Sequence, residues 1–177
     1  MSDDKDPRPE NLQAILVDSD FLVSIWATLE AVLRKAFADA DFRNEYADGK
    51  IDAVDGPIDW TRSGISGGLG RNFKHVLVFD AAKNILGGIL CIPASRNEGE
   101  TCCEVGWFFV LPEIARDLRR LVAMEMDKQM RSWLRGLGFE KIVVDIGTKA
   151  GEKYLSRNYG FTHSPLPENQ NRWVREL

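Results

Sequence analysis

Three arginines crowd one short stretch of this chain: Arg116, Arg119 and Arg120 in "CCEVGWFFVLPEIARDLRR" (102–120). Spaced three and four apart, they can meet on one helical face. Guanidinium groups bind phosphate through charge-assisted, often bidentate hydrogen bonds. The residues before them give a continuous apolar strand signal that runs into Pro112. Strand, turn and helix N-terminus in that order make a cradle for an anion, because the first amides of a helix have no internal partner. Glycine, which lets a backbone approach phosphate closely, is missing from the turn. Two good arginine contacts, each about 1.5–3 kcal/mol, would outweigh the roughly 0.3–1 kcal/mol of the helix-end field. Otherwise the three form a basic, solvated helix face with some pairing to Asp117.

Glu104 is the one carboxylate within the apolar stretch. Apolar neighbours such as Trp107 and Phe108 would strengthen it as a proton acceptor, directly or through water; as a strand-edge residue it would instead pair with a base. Gly106, next on its face, would leave open space beside it. Cys91, Cys102 and Cys103 form no CxxC pair. Their odd number suits a reducing compartment, and they read as small buried strand residues. His75 and His163 are far apart in sequence and lack zinc-ligand spacing, so no metal is expected.

At 177 residues the chain has the length of one ordinary domain with a real core. The expected organisation is a disordered tail over 1–10 and a single domain over 11–177. A net charge of -4 argues against non-specific nucleic-acid binding. No apolar run approaches membrane-spanning length and "MSDDKDPRPE" is no signal peptide, so no membrane partner and a cytoplasmic location are expected. Seven acids against two bases between Asp39 and Asp59 read as a solvated surface or as an attractor for a cationic substrate.

These groups need elements to hold them. "DSD" (18–20) offers an N-cap, and Leu22, Ile25, Leu29, Val32 and Ala36 recur at three and four, predicting a helix over 19–38. A short helix is expected around Phe42 to Ala47. The glycine-rich "GPIDWTRSGISGGLGR" (56–71) reads as a mobile loop without P-loop order. "FKHVLVFD" (73–80) and "ILGGILCIP" (85–93) form a hairpin, and "TCCEVGWFFV" (101–110) follows as a third antiparallel strand. A long helix spans about Glu113 to Leu137, with Leu118, Leu121, Val122, Met126, Met130, Trp133 and Leu137 buried and Arg119, Arg120, Asp127, Lys128 and Arg131 in water. "KIVVDIG" (141–147) reads as a buried strand, followed by a helix (149–158) and terminal strands in "GFTHS" and "NRWVREL". The fold class is therefore α/β, a mixed, mostly antiparallel sheet with one parallel β-α-β crossover.

This order of elements, with "EVGWFFVLPE" and the later "KYLSRNYGF" (153–161), resembles the GNAT superfamily of acyl-CoA-dependent N-acyltransferases. The resemblance implies acetyl-CoA or another acyl-CoA as co-substrate, laid beside the family's splayed fourth and fifth strands. It places the pantetheine against main-chain groups near Phe109, Val110 and Leu111 and the pyrophosphate at the start of the long helix. The family's phosphate turn, Arg/Gln-x-x-Gly-x-Gly/Ala, has lost both small residues here, and Arg116, Arg119 and Arg120 stand in its place. Glu104 would serve as the base. The tyrosine that many relatives use as the acid falls on Ser156, which leaves Tyr154 or Tyr159 for that role. The acceptor would be a small-molecule or peptide amine. Two further readings stay open: a non-catalytic binding or regulatory protein on this scaffold, and an acyltransferase fed by an acyl carrier protein. A free sheet edge is compatible with a homodimer.

Overall fold

A computed structural model describes residues 12–38, 55–67 and 71–177. The expected helix at 42–47, the N-terminal tail and most of the acidic patch lie outside the described residues. The elements are β1 (Gln13–Asp18), α1 (Ser19–Ser24), α2 (Trp26–Phe37), α3 (Asp55–Ser66), β2 (Phe73–Phe79), β3 (Ile85–Pro93), β4 (Cys102–Glu104), β5 (Phe108–Val110), α4 (Arg116–Gly136), β6 (Lys141–Asp145), α5 (Lys149–Tyr159), β7 (Thr162–His163) and β8 (Arg172–Glu176). Strands β1-β2-β3-β5 form one antiparallel sheet. Strands β4-β6-β8-β7 form a second, in which β4 and β6 are the parallel pair joined through α4. The mixed sheet with one parallel crossover is thus present. No helix among the described residues is long and apolar enough to cross a membrane.

Two cores cover the opposite faces. Val122, Met126, Met130 and Leu134 of α4 pack with Ile142, Val144 and Leu155 on one side. Leu22, Leu29, Leu33, Ile58 and Ile65 of the three N-terminal helices pack with Leu77, Leu90 and Phe109 on the other. The single helix expected at 19–38 is broken at Ile25 into α1 and α2. Its N-cap is as read: the Asp18 carboxylate accepts from the Phe21 amide at 2.9 Å. The loop expected at 56–71 is largely the helix α3. Its buried Ile58, Thr61 and Ile65 recur at three and four, and that packing outweighs the cost of about 1 kcal/mol for a mid-helix glycine such as Gly64. Strand β1, unmarked in the sequence reading, pairs with β2 along its whole length. Asp127, expected in water, is only 9% exposed, because both terminal guanidinium nitrogens of Arg175 in β8 donate to it. Cys91 and Cys103 are buried as expected; Cys102 is exposed.

The hairpin β2–β3 carries the feature that shapes the cleft. Between the pairs Lys74↔Ile92 and Val76↔Ile89 the third strand holds one extra residue, opposite His75. Cys91 takes the left-handed backbone (φ 60) at this bulge, a conformation that costs a non-glycine residue roughly 1–2 kcal/mol. Its displaced amide is not lost: Cys91 N–H donates to His75 Nδ1 at 3.0 Å. Nδ1 is therefore the bare nitrogen, and His75 Nε2–H faces Ser19 Oγ at 3.0 Å. The ring is fully buried, and that burial pushes its pKa from 6.5 down to about 4, with Asp18 opposing.

The unfolded chain therefore takes up this proton first as pH falls. The contribution of neutral His75 is complete above pH 6.5 and is lost toward pH 4, by roughly 3 kcal/mol at 1.36 kcal/mol per unit. Urea unfolding at pH 7, 5.5 and 4 should show this additional loss in the wild type relative to His75→Gln, whose side chain can accept from Cys91 and does not titrate.

Candidate functional site

The run expected to be one strand at 101–110 changes partner half-way. Through β4 it pairs with β6, and Val105 N–H still donates to Val143 O at 3.0 Å. One residue later Gly106 N–H turns to Cys91 O at 3.2 Å, and Trp107 O accepts from Leu90 at 2.8 Å. Side-chain parity slips at the same place. Val105 packs into the α4–α5 core, whereas Trp107 and Phe109 both pack toward α1–α3. Gly106 sits at the slip, and a β-carbon there would lie 2.8 Å from Leu90 O. The open space expected beside Glu104 is thus filled by the bulged β3 backbone.

From this point β5 and β6 diverge and a cleft of about 400 Å³ opens between β5, the start of α4 and the β6–α5 connection. The antiparallel register commits Trp107, Phe109 and Leu111 to β3, since Leu111 N–H donates to Leu86 O at 2.9 Å and Gly88 pairs Phe109. By alternation the main-chain groups of Phe108 and Val110 point into the cleft. Of the three residues expected to offer main-chain groups there, Val110 is placed to do so. Phe109 and Leu111 are not, and Phe108 takes their part.

At the far end of the cleft α4 begins at N-cap Ala115 with no side-chain cap, so its first amides remain open. Arg119 lines the cleft. Arg116 and Arg120 are exposed and not among its lining residues, so the three guanidiniums do not converge. Neither Leu118 nor Leu121 lines it. Lys35 of α2 supplies a second cation at the rim, 4.0 Å from Glu113, a pair too exposed to hold it firmly.

The two tyrosines separate. Tyr154 lines the cleft; Tyr159 is 3% exposed and packs edge-to-face on Phe108 at 5.6 Å. Their rings meet at 5.7 Å, and both hydroxyls are buried without a well-formed hydrogen bond. Burial pushes Tyr154 up to about 12, with its Tyr159 neighbour and Arg119 acting against the shift. Burial, with the Tyr154 neighbour adding to it, also pushes Tyr159 well above the usual tyrosine range. Ser156 donates to Lys153 O at 3.4 Å on the outer side of α5. Glu104 is exposed rather than enclosed by Trp107 and Phe108, and lies outside the lining residues. Asp145, at the end of β6, does line the cleft, its carboxylate accepting from Asn169 Nδ2 at 2.7 Å. Lys35, Phe37 and Asp145 escaped the sequence reading because only the folded chain brings α2 and β6 to the same opening.

The whole architecture has counterparts among solved structures. An acetyltransferase of the GNAT family from Staphylococcus aureus superposes with a TM-score of 0.58 over 94% of this chain and 99% of its own, at 14% identity. The fold is the GNAT fold. Within it, the PaiA N-acetyltransferase of Thermoplasma acidophilum, solved with coenzyme A, gives 0.57 over 94% and 99% at 14% identity. The C-terminal condensation domain of Ebony, solved with beta-alanyl-dopamine, gives 0.65 over 94% and 99% at 9% identity. No family model matches the sequence, and no curated protein matches it. At these identities the likeness is one of fold.

Because the Gly106 β-carbon position meets backbone, Gly106→Ala should cost about 1–3 kcal/mol. Thermal unfolding should register this as a midpoint several degrees lower, without loss of the native circular-dichroism spectrum.

Proposed function

We propose that this protein is an acyl-CoA-dependent N-acyltransferase, with acetyl the default group, acting on a small-molecule or peptide amine. One observation carries the reading: Phe108 and Val110 offer free main-chain groups to a cleft whose other walls hold Arg119 and Tyr154. An extended amide-bearing arm can add to the β5 edge as a strand would. A diphosphate can lie on the open amides of α4, which replaces the glycine turn with Arg119 and Lys35 as counter-charges. Glu104 takes one ammonium proton through water and releases it to solvent. The freed amine forms its bond to the thioester carbon as the carbon–sulfur bond breaks. Tyr154 gives its hydroxyl proton to the departing sulfur and regains the proton that the new amide nitrogen loses.

A second reading has its own observation in favour. Arg116 and Arg120 stand exposed beside the cleft mouth, as a docking patch for an acidic acyl carrier protein would. Calorimetry with acetyl-CoA separates the two. In the CoA-dependent case Arg119→Ala weakens binding at least tenfold, from about 1.5–3 kcal/mol per lost charged contact. Arg116→Ala and Arg120→Ala change it less than threefold. Acetyl-CoA that gives no heat, together with salt-sensitive binding of a loaded carrier protein that Arg116→Ala and Arg120→Ala weaken, would select the second reading. No binding of either donor would leave a non-catalytic protein.

Thiol release measured against pH gives an independent check. Activity should climb as the substrate ammonium loses its proton and show no downturn at pH 10, because burial pushes the Tyr154 hydroxyl up to about 12. Tyr154→Phe should lower kcat about a hundredfold or more with little change in acetyl-CoA affinity.

A further inference from the structure

We propose that the amine accepted at this cleft carries an aromatic ring a short chain away from its nitrogen. The inference rests on the acyltransferase reading in taking the cleft ligand to be the acceptor; its structural support is separate. The residue inserted at Gly106 puts Glu104 and Trp107 on the same face of the sheet, the one that looks toward α1–α3. Glu104 is paired with Val143, and two residues on in β6 Asp145 shares that face. Two carboxylates thus flank the point where the strands part, and Asp145 reaches the cleft itself.

Asp145 shares the cleft with a wall of rings. Trp107 lines the cleft together with Phe37. Phe37 meets Trp107 edge-to-face at 6.1 Å, and Trp60 of α3 meets it the same way at 5.9 Å. Trp60 is 52% exposed, so much of its indole stays open to whatever enters from this side. Tryptophan rings held edge-on to one another can extend the same packing to a further ring, each such contact being worth about 0.5–1.5 kcal/mol beyond its area. A carboxylate in the cleft and ring surface beyond it match a protonated arylalkylamine: the ammonium at Asp145, with Glu104 adding negative charge at the strand junction, and the ring against Trp107 and Trp60. A polyamine would answer the carboxylates and waste the rings. A neutral aromatic would do the reverse.

Quenching of tryptophan fluorescence, with calorimetry to confirm it, can rank amines on the protein without any acyl donor. Phenethylamine is expected to bind about two- to tenfold more tightly than 2-cyclohexylethylamine, which has the same reach and charge but no aromatic ring. It should likewise bind more tightly than phenethyl alcohol, which lacks the charge, and than spermidine, which lacks the ring. Trp60→Ala, a truncation at an exposed site, should erase the phenyl-over-cyclohexyl preference and leave spermidine unaffected. Equal affinity for the phenyl and cyclohexyl amines, spermidine as the tightest ligand, or a preference untouched by Trp60→Ala would each overturn the proposal. Acetyl-CoA titrated in parallel keeps the two ideas apart. The expected amine ranking without acetyl-CoA uptake supports the aromatic-amine site and removes the transferase reading. Acetyl-CoA uptake with a flat amine ranking overturns the site alone.

Discussion

The Leu90 carbonyl oxygen stands 2.8 Å from where a β-carbon would sit at residue 106, and glycine is the residue that lets the two backbones lie so close. That approach exists because β3 carries an extra residue at Cys91, whose rotated amide is satisfied by a buried histidine. The chain at 105–107 answers with its own slip, leaving β6 and turning wholly to β3. Two neighbouring irregularities, one on each strand, thus convert what would be a closed ladder into a fork. Everything functional follows from the fork: the free groups of Phe108 and Val110, the width of the cleft, and the placement of Glu104 and Trp107 on one face. A straight strand would have put those two residues on opposite faces and paired the free groups with β6.

The walls of the fork are braced from behind. The carboxylate of Asp127 in α4 is held by Arg175 of β8 and by Arg131 one turn on, at 3.1 Å. The Arg175 guanidinium also lies 6.0 Å from the centre of Tyr159 and 5.9 Å from that of Phe161. Tyr159 in turn packs on Phe108 and on Tyr154. A polar anchor between helix and sheet is therefore linked by rings to both sides of the cleft. An apolar contact of equal volume could serve stability as well; what the ion pair adds is a planar guanidinium that also lies beside the rings of Tyr159 and Phe161.

Much of the scaffold was legible along the chain. Apolar runs bounded by turn residues marked β2, β3 and β6, and the three-four recurrence of Met126, Met130 and Trp133 marked α4. Asp18 announced the first helix by the capping chemistry that its side chain performs. What misled was composition read without packing. Glycines concealed α3, whose Ile58 and Ile65 are anchored by α1 and α2 rather than by local preference. A charged residue on α4 was placed in water because its partner is 48 positions away in sequence.

For the site, residue type and spacing determined that an apolar strand with one carboxylate leads into an arginine-rich helix start, and that two tyrosines close a later helix. Tertiary structure decided which of these face a common space. Arg119 enters the cleft and Arg116 and Arg120 do not; Tyr154 enters and Tyr159 is core. The reason is that local periodicity sets only the angle between side chains on one element. Whether a given angle points at a ligand depends on where other elements leave a gap, and here the gap is set by a bulge in β3, the strand alongside, that no pattern within 102–120 encodes.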